Sequence, residues 1–422
     1  MYDIFSLPDL SFPDNFLWGS ATAGHQIEGD NIHSQWWAEE REGKKEGPSG
    51  KACNHWELYK DDIELIGELG HRAYRMSIEW SRIEPQEGFW DEKATSRYLD
   101  ILERLRKNSI APFVTLHHFT HPLWFEKKGG FHNRDNIRYF ERFVEYIVSK
   151  TAHLVESWNV FNEFNFSRHP HGGGLKINFL IAHSRGYHII KRHCDKPVST
   201  TVAFTNWVPL RKNNDIDRRM TDYVDFITNE FFFHAIRTGE IIYPHFDAEY
   251  VPGLKGSCDY WAVNYYSRTM VDSRKAKFQG DRFVHKKLNM IKRDFYMSEM
   301  YPEGLIDNIE RLTDKPVYVT ENGCSCTDDR WRIVALALHL CAIKEAIDRG
   351  VDVRGYFHWS TMDNYEWGSF EPRFGLVHVD FDTFKRTPKP SAWFYREIIE
   401  KDGVTQESIR RYLNELPTMR VQ

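Results

Sequence analysis

The 422-residue sequence contains few cysteines, and their spacing defines neither a disulfide framework nor a familiar metal motif. Only Cys324 and Cys326 are close together, and their one-residue separation is shorter than in zinc or thioredoxin-like motifs. We therefore expect six ordinary reduced thiols. They are Cys53, Cys194, Cys258, Cys324, Cys326 and Cys341.

Two further absences narrow the class of protein. No apolar run approaches the roughly 18 residues needed to span a bilayer, and residues 1–14 lack the basic and apolar pattern of a signal peptide. The net charge of −5 gives no electrostatic case for binding nucleic acid or an anionic membrane. We therefore expect a soluble, cytoplasmic protein that binds neither nucleic acid nor a membrane. It is expected to be a monomer or a homo-oligomer.

What the sequence does contain is an alternation of short apolar runs with amphipathic stretches, undivided by any linker rich in Pro, Gly and Ser. The runs are short and apolar rather than strictly alternating, which is typical of parallel strands buried on both faces. Eight such runs predict strands at residues 16–19, 73–78, 111–116, 157–161, 200–204, 261–265, 317–320 and 355–359.

The stretches between these runs have helical periodicity. Residues 98–105 carry apolar side chains at i, i+3, i+4 and i+7, and residues 137–148 have a comparable stripe. Residues 333–347 are apolar and helix-prone, and Gly350 is placed to end that helix. An open sheet that binds a dinucleotide would show a Gly-rich fingerprint near the first strand, and none is present. The pattern predicts one α/β domain over residues 1–422, a (β/α)₈ TIM barrel.

Polar side chains follow several of these runs, at the strand ends where such a barrel builds its active site. Glu163 and Glu321 follow the fourth and seventh runs, each beside an asparagine. A single glutamate there is most often part of a structural ion pair. Two on separate strands suit a retaining glycosidase, which needs a proton donor and a nucleophile about 5–5.5 Å apart in different environments. Further polar or aromatic residues at strand ends are His117, His118, Asn162, Asn264, Tyr266, Asn322 and Trp359.

Seven motifs occur in a fixed order along nearly the whole chain. A short match such as the Thr-Glu-Asn-Gly of residues 320–323 is weak alone, whereas seven in order are specific. The motifs lie at residues 12–22 with 26–29, 74–83, 115–119, 264–266, 320–323, 359–367 and 373–376. In them the sequence resembles glycoside hydrolase family 1, which contains β-glucosidases, β-galactosidases and 6-phospho-β-glycosidases.

The resemblance implies roles for individual residues. Glu163 matches the family's general acid/base and Glu321 its nucleophile. Arg75 matches an arginine whose charge helps to keep the nucleophile ionised, although a purely structural ion pair is the alternative. Tyr266 matches a tyrosine that hydrogen-bonds the nucleophile, and Trp359 the floor of the sugar pocket. Five further residues match those that bind the glycone, which is the sugar to be released: Gln26, His118, Asn162, Glu366 and Trp367. For Trp367 the alternative is that it only fills the hydrophobic core.

The sequence departs from the family pattern at three places. Phe164 replaces the proline after the acid/base, and we expect altered loop geometry only. Phe119 replaces a tryptophan and removes an indole N–H donor near the 3-hydroxyl, worth about 1 kcal/mol. Residues 164–174 diverge, with His169, His171 and three glycines, and are expected on the side of the leaving group. Phe119, Asn264 and Phe374 are expected to support the site.

Glu366 indicates whether the sequence belongs with the family members that act on phosphorylated sugars or with those that act on unphosphorylated sugars. The 6-phospho-β-glycosidases carry a serine there, and a carboxylate would repel a 6-phosphate. The resemblance therefore implies a retaining β-glycosidase for small unphosphorylated glucosides, galactosides and fucosides, without cofactor or metal. A transglycosylating relative and a non-catalytic sugar-binding relative remain alternatives. A metal enzyme is disfavoured because His117, His118, His121 and His132 lack the spacing of a His-Glu-x-x-His motif.

Overall fold

The structure is a computed structural model that describes residues 3–166, 172–275, 285–286 and 299–417, and in them the predicted barrel is confirmed. Eight parallel strands form a closed ring, and the last strand pairs with the first. Each predicted run lies in one of these strands, within a few residues at its ends. The strands are β1 (Leu17–Ala21), β2 (Ala73–Ser77), β3 (Ala111–His117), β4 (Ser157–Asn162), β5 (Val198–Ala203), β6 (Trp261–Asn264), β7 (Val317–Asn322) and β8 (Val353–Trp359).

Helices connect successive strands, and further helices follow β8. The connection from β5 to β6 is the longest of these within the described residues, with a helix at Asp215–Asp225 and a π-helical segment at Phe226–Glu230 before its main helix. None of the described helices combines the length and apolar character needed to cross a membrane. The main helices are α1 (His55–Glu68), α2 (Glu92–Lys107), α3 (Ile137–Thr151), α4 (Gly172–His193), α5 (Phe231–Thr238), α6 (Glu303–Ile309), α7 (Arg330–Asp348) and α8 (Pro390–Lys401).

Shorter strands and helices lie outside the eight barrel strands. Two-stranded pairs join residues 10–11 to 403–404, 240–241 to 249–250, and 377–379 to 386–388, and residues 206–209 pair with 268–271. The short helices include Gly24–Ile27, Gln35–Arg41, Trp80–Ile83, Leu123–Lys127 and Gln406–Tyr412.

The predicted helical stretches are confirmed and have identifiable local causes. Asp91 caps α2, its carboxylate accepting hydrogen bonds from the backbone N–H groups of residues 93 and 94. The apolar stripe of α3 is buried against the barrel. Helix α7 ends at Asp348, and Gly350 follows with φ of +97°, a left-handed conformation that favours glycine.

Two strands carry an extra residue where the polar residues begin. Strand β4 has one residue more than β5 between Asn159 and Asn162, and β7 has one residue more than either neighbouring strand between Val319 and Asn322. Such bulges re-aim side chains beside active sites. Because the strands continue past these bulges, Asn162, Glu321 and Asn322 belong to the strands themselves, whereas the sequence placed them directly after.

Candidate active site

The carboxyl ends of β2, β4, β6 and β7 place four polar side chains in one hydrogen-bonded cluster. The guanidinium of Arg75, which is fully buried, donates to the carboxylate of Glu321 and to Oδ1 of Asn162, the latter at 2.6 Å. Asn264 donates from Nδ2 to the same Oδ1 at 3.2 Å. A buried arginine needs such partners because an unpaired charge away from water is strongly unfavourable. The cluster therefore fixes the relative positions of these four strand ends.

Glu321 lies within this cluster and is 4% exposed. One carboxylate oxygen accepts from Arg75, and the other accepts from the Tyr266 phenol at 2.8 Å. The ring of Phe374 packs edge-on against Tyr266, with 6.2 Å between ring centroids. A cation and a phenol O–H thus meet the two oxygens of the carboxylate, an arrangement that stabilises negative charge.

Glu163 occupies a different environment. It follows β4 with φ of +47°, a conformation rare for residues other than glycine and often held in place at functional sites. Asn264 Nδ2 donates to its carboxyl group at 2.8 Å. Loss of hydration and the nearby charge of Glu321 raise the pKa of Glu163 from its ordinary 4.5 to about 8, against the opposing effects of Asn264 and Arg75. At neutral pH Glu163 therefore retains its proton.

The orientation of His118 follows from Asn162. Because Oδ1 of Asn162 accepts from Arg75 and Asn264, its Nδ2 faces His118 and lies 3.0 Å from Nε2 of that ring. Burial and the charge of Arg75 lower the pKa of His118 well below its ordinary value, so the imidazole is neutral. With Nε2 accepting, the proton resides on Nδ1. That Nδ1 is buried without a hydrogen-bond partner among the described residues.

Gln26 and Glu366 form a second polar group. Gln26 Nε2 donates to Oδ1 of Asn364 at 3.0 Å and to the carboxylate of Glu366 at 3.2 Å. Its Oε1, like Nδ1 of His118, is buried and has no hydrogen-bond partner within the part of the chain that the structure describes. Buried polar atoms are rarely left unsatisfied in native proteins. An acceptor and a donor are therefore available for a polar ligand.

Aromatic rings pack around His118. The imidazole of His118 is nearly parallel to Trp359 and to Trp367, each with a centroid separation of 6.1 Å and with interplanar angles of 20° and 18°. Phe119 meets Trp367 edge-on at 5.1 Å. Trp367 and Phe119 both have left-handed backbones, with φ of +48° and +66°. The site residues predicted from the sequence are thus linked in one set of contacts, apart from Gln26 and Glu366, which are hydrogen-bonded to each other. Glu366 is nevertheless close enough for its charge to help raise the pKa of Glu163.

The remaining predictions fall outside this set or outside the described residues. Phe164 does not face the polar cluster but packs against Phe232 and Phe231 at 5.5 and 5.8 Å. His117 lies 3.2 Å from His121 through their ring nitrogens, so it points away from its neighbour His118. His169 and His171 lie outside the described residues, and the three glycines begin α4.

Some contributors received no role from the sequence. Thr320 donates to Oδ1 of Asn264 at 2.8 Å, Thr201 accepts from Arg75 at 3.3 Å, and Asn364 accepts from Gln26. Thr320 and Asn364 lie inside two of the seven sequence motifs, so the motifs could have indicated a role for them. For Thr201 the sequence offers only its place in β5.

Comparison with known proteins identifies the family. The sequence profile of Glycosyl hydrolase family 1 matches residues 9–404. A 1,4-beta-D-glucan glucohydrolase of Thermotoga neapolitana is 31% identical over 93% of this chain and 99% of its own length. A beta-galactosidase of Pyrococcus woesei is 31% identical over 94% and 98%.

A solved structure supports the same assignment. The beta-glycosidase from Pyrococcus horikoshii is 38% identical and superimposes with a TM-score of 0.88, covering 98% of this chain and all of that one. Sequence profile, relatives and fold therefore agree, and the chain is a glycoside hydrolase that belongs to glycosyl hydrolase family 1.

Proposed function

We propose that this enzyme is a retaining β-glycosidase in which Glu321 is the nucleophile and Glu163 the general acid/base. The observation that carries the proposal is the contrast between the two carboxyl groups. Glu321 accepts from a buried guanidinium and a phenol, whereas the pKa of Glu163 is raised to about 8. A retaining mechanism needs this combination of one ionised and one protonated carboxyl group at neutral pH.

In the first step the carboxylate of Glu321 attacks the anomeric carbon. The bond from that carbon to the leaving oxygen breaks, and Glu163 gives its proton to this oxygen. The product is a covalent glycosyl ester of Glu321. This ester is neutral, so the negative charge that helps to raise the pKa of Glu163 disappears at this stage.

In the second step Glu163 acts as a base. With the charge of Glu321 removed, the pKa of Glu163 falls, and its carboxylate takes a proton from the incoming water. The water oxygen bonds to the anomeric carbon, and Glu321 leaves as a carboxylate. Two inversions at the same carbon give net retention.

We assign the glycone site to the polar atoms of Gln26, His118 and Glu366 together with the ring of Trp359. Oε1 of Gln26 and Nδ1–H of His118 would bind sugar hydroxyls, and Trp359 offers a flat apolar surface to the C–H face of the ring. The carboxylate of Glu366 accepts hydrogen bonds and repels phosphate, which favours unphosphorylated glucosides, galactosides and fucosides. A preference of more than about tenfold for 6-phosphoglucosides would reverse this assignment.

The decisive experiment compares hydrolysis of p-nitrophenyl β-D-glucoside by the wild type, Glu321→Gly and Glu163→Ala, with and without azide. We expect both variants to lose activity and azide to restore it. Azide should give the α-glycosyl azide with Glu321→Gly and the β-glycosyl azide with Glu163→Ala. The matched control is Glu156→Ala, at the opposite end of the strand that precedes Glu163, and it should retain activity.

The same assay distinguishes the alternatives. A wild type that binds sugars but hydrolyses no glucoside, galactoside or fucoside would be a non-catalytic relative. Rescue products of the opposite anomeric forms would exchange the roles of the two glutamates. Products with an added sugar acceptor in place of water would indicate a transglycosidase.

A further inference from the structure

His25 is the neighbour of Gln26, which we assign to the glycone site, on the short helix Gly24–Ile27. Its side chain is fully buried, and its ring is parallel to the indole of Trp367 within 6°, with 5.9 Å between ring centroids. His118 is a second nearly parallel neighbour of Trp367, at 6.1 Å and 18°. The imidazoles of His25 and His118 are therefore both nearly parallel to the indole of Trp367. Offset-parallel rings at this separation attract one another.

The ring plane of His25 is fixed by hydrogen bonds at both nitrogens. Ser81 donates to Oδ1 of Asn31 at 2.7 Å, so Nδ2 of Asn31 is directed at Nδ1 of His25, 3.2 Å away. Nδ1 of His25 then accepts, and Nε2–H donates to the Glu40 carboxylate at 3.1 Å. The other oxygen of Glu40 is held by the backbone N–H and the hydroxyl of Ser49. The imidazole cannot rotate without breaking these bonds.

Trp367 needs support of this kind because its backbone does not favour its position. Its φ of +48° lies in the left-handed region, which a tryptophan adopts only when its surroundings hold it there. Trp36 and Phe119 contact the indole edge-on, at 4.7 and 5.1 Å. Among the rings of the described residues that contact it, that of His25 is anchored by a carboxylate, and His25 is not one of the residues that we assign to the glycone.

We propose that His25 is a positioning residue for the glycone, because it holds the indole of Trp367 parallel to His118 through a ring plane that Glu40 and Asn31 fix. The inference rests on the proposed function, in which Trp367 and His118 contact the sugar. His25 touches neither of the two glutamates that we assign to the reaction. Its loss should therefore weaken sugar binding and leave the chemical step largely intact.

The test measures glucose binding and glucoside hydrolysis by the wild type, His25→Ala and His25→Phe. We expect His25→Ala to raise KM and the inhibition constant of glucose by about tenfold, with kcat changed less than about threefold. His25→Phe keeps a flat ring without the hydrogen bonds, and its inhibition constant should lie between those of wild type and His25→Ala. A crystal structure of either variant should show the indole of Trp367 turned away from its 18° angle to His118.

The control is His339→Ala, which removes a buried imidazole of α7 whose ring packs against Tyr265 and not against Trp367. It should lower the melting temperature while leaving the inhibition constant of glucose within about twofold. The same pattern in His25→Ala, or in His25→Phe if the alanine variant does not fold, would overturn the proposal. An inert wild type that binds no glucose would instead remove the proposed function, and this inference with it.

Discussion

The phenol of Tyr266 donates a 2.8 Å hydrogen bond to the oxygen of Glu321 that Arg75 does not contact. The two donors come from different strand ends, so the plane of the carboxylate is fixed from two directions. The nucleophilic role that we propose for Glu321 depends on such orientation, because the attack on the anomeric carbon follows one line.

Replacing Tyr266 with phenylalanine should therefore impair the reaction more than it impairs folding. A hydrogen bond to a charged group is worth about 1.5–3 kcal/mol, so we expect kcat/KM for p-nitrophenyl β-D-glucoside to fall roughly 10- to 100-fold. Tyr318→Phe, on the same strand as Glu321 but beside Phe113, serves as the control. A Tyr266→Phe variant with more than a third of wild-type kcat/KM would contradict this role.

The pH dependence of the reaction should report Glu163. Because the proposed acid role requires this residue to carry a proton and its pKa is raised to about 8, kcat/KM should decline as pH rises above about 8. Glu163→Gln assayed with a dinitrophenyl glucoside, whose leaving group needs no proton, should lose this decline. Persistence of the decline at the same pH in the variant would mean that another group causes it.

The same group should make folding pH-dependent. The folded-state pKa of Glu163 lies above its ordinary value of 4.5. The stability that protonated Glu163 contributes, relative to its charged form, is therefore fully present below about pH 4.5 and is lost as the pH rises through about 8. Glu163→Gln should therefore melt about 2 °C or more above the wild type at pH 8, with little difference near pH 4. Glu156→Gln controls for general charge removal. Equal melting temperatures at both pH values would refute the argument.

Selectivity for the glycone should depend on Glu366. Glu366→Ser removes the carboxylate that would repel a 6-phosphate and accept hydroxyl hydrogen bonds. The ratio of kcat/KM for 6-phosphoglucoside to that for glucoside should rise about tenfold or more, chiefly through loss of activity on glucoside. Glu371→Ser, an exposed residue of the same loop, should leave the ratio unchanged. An unchanged ratio in Glu366→Ser would place selectivity elsewhere.

Phe119 offers a gain-of-binding test. Phe119→Trp restores an indole N–H donor next to Trp367, and a neutral hydrogen bond of about 1 kcal/mol corresponds to about a fivefold lower KM for glucosides. The comparison substrate is a 3-deoxyglucoside, which lacks the 3-hydroxyl and should show no gain. Equal gains on both substrates would mean that added apolar contact, rather than the new donor, causes the effect.

Much of the fold was predictable because a buried parallel strand leaves a simple signal. Each of the eight apolar runs lies in a barrel strand, and the stripe at residues 137–148 lies in α3. Glu163 and Glu321 stood out because strand ends of such a barrel meet at one face. Their partners in the ordered motifs followed from the family resemblance.

Other features depend on spatial neighbours that no local pattern encodes. The proton on Nδ1 of His118 depends on the amide orientation of Asn162, which in turn depends on Arg75, 87 residues earlier in the chain. Likewise, the pKa of Glu163 depends on burial and on the charge of Glu321, which only the folded chain brings near. Phe164 also required the structure, which shows it filling an aromatic cluster beside α5.

The extra residues in β4 and β7 divide each of these strands into two parts with different roles. Before the extra residue the strand builds the wall of the barrel, and beyond it the side-chain direction no longer follows the alternation of the wall. Substitutions before residue 159 of β4 or residue 319 of β7 should therefore change how long the enzyme survives heating. Substitutions a few residues later should change which sugars it accepts, so durability and substrate range can evolve along the same strand with little mutual interference.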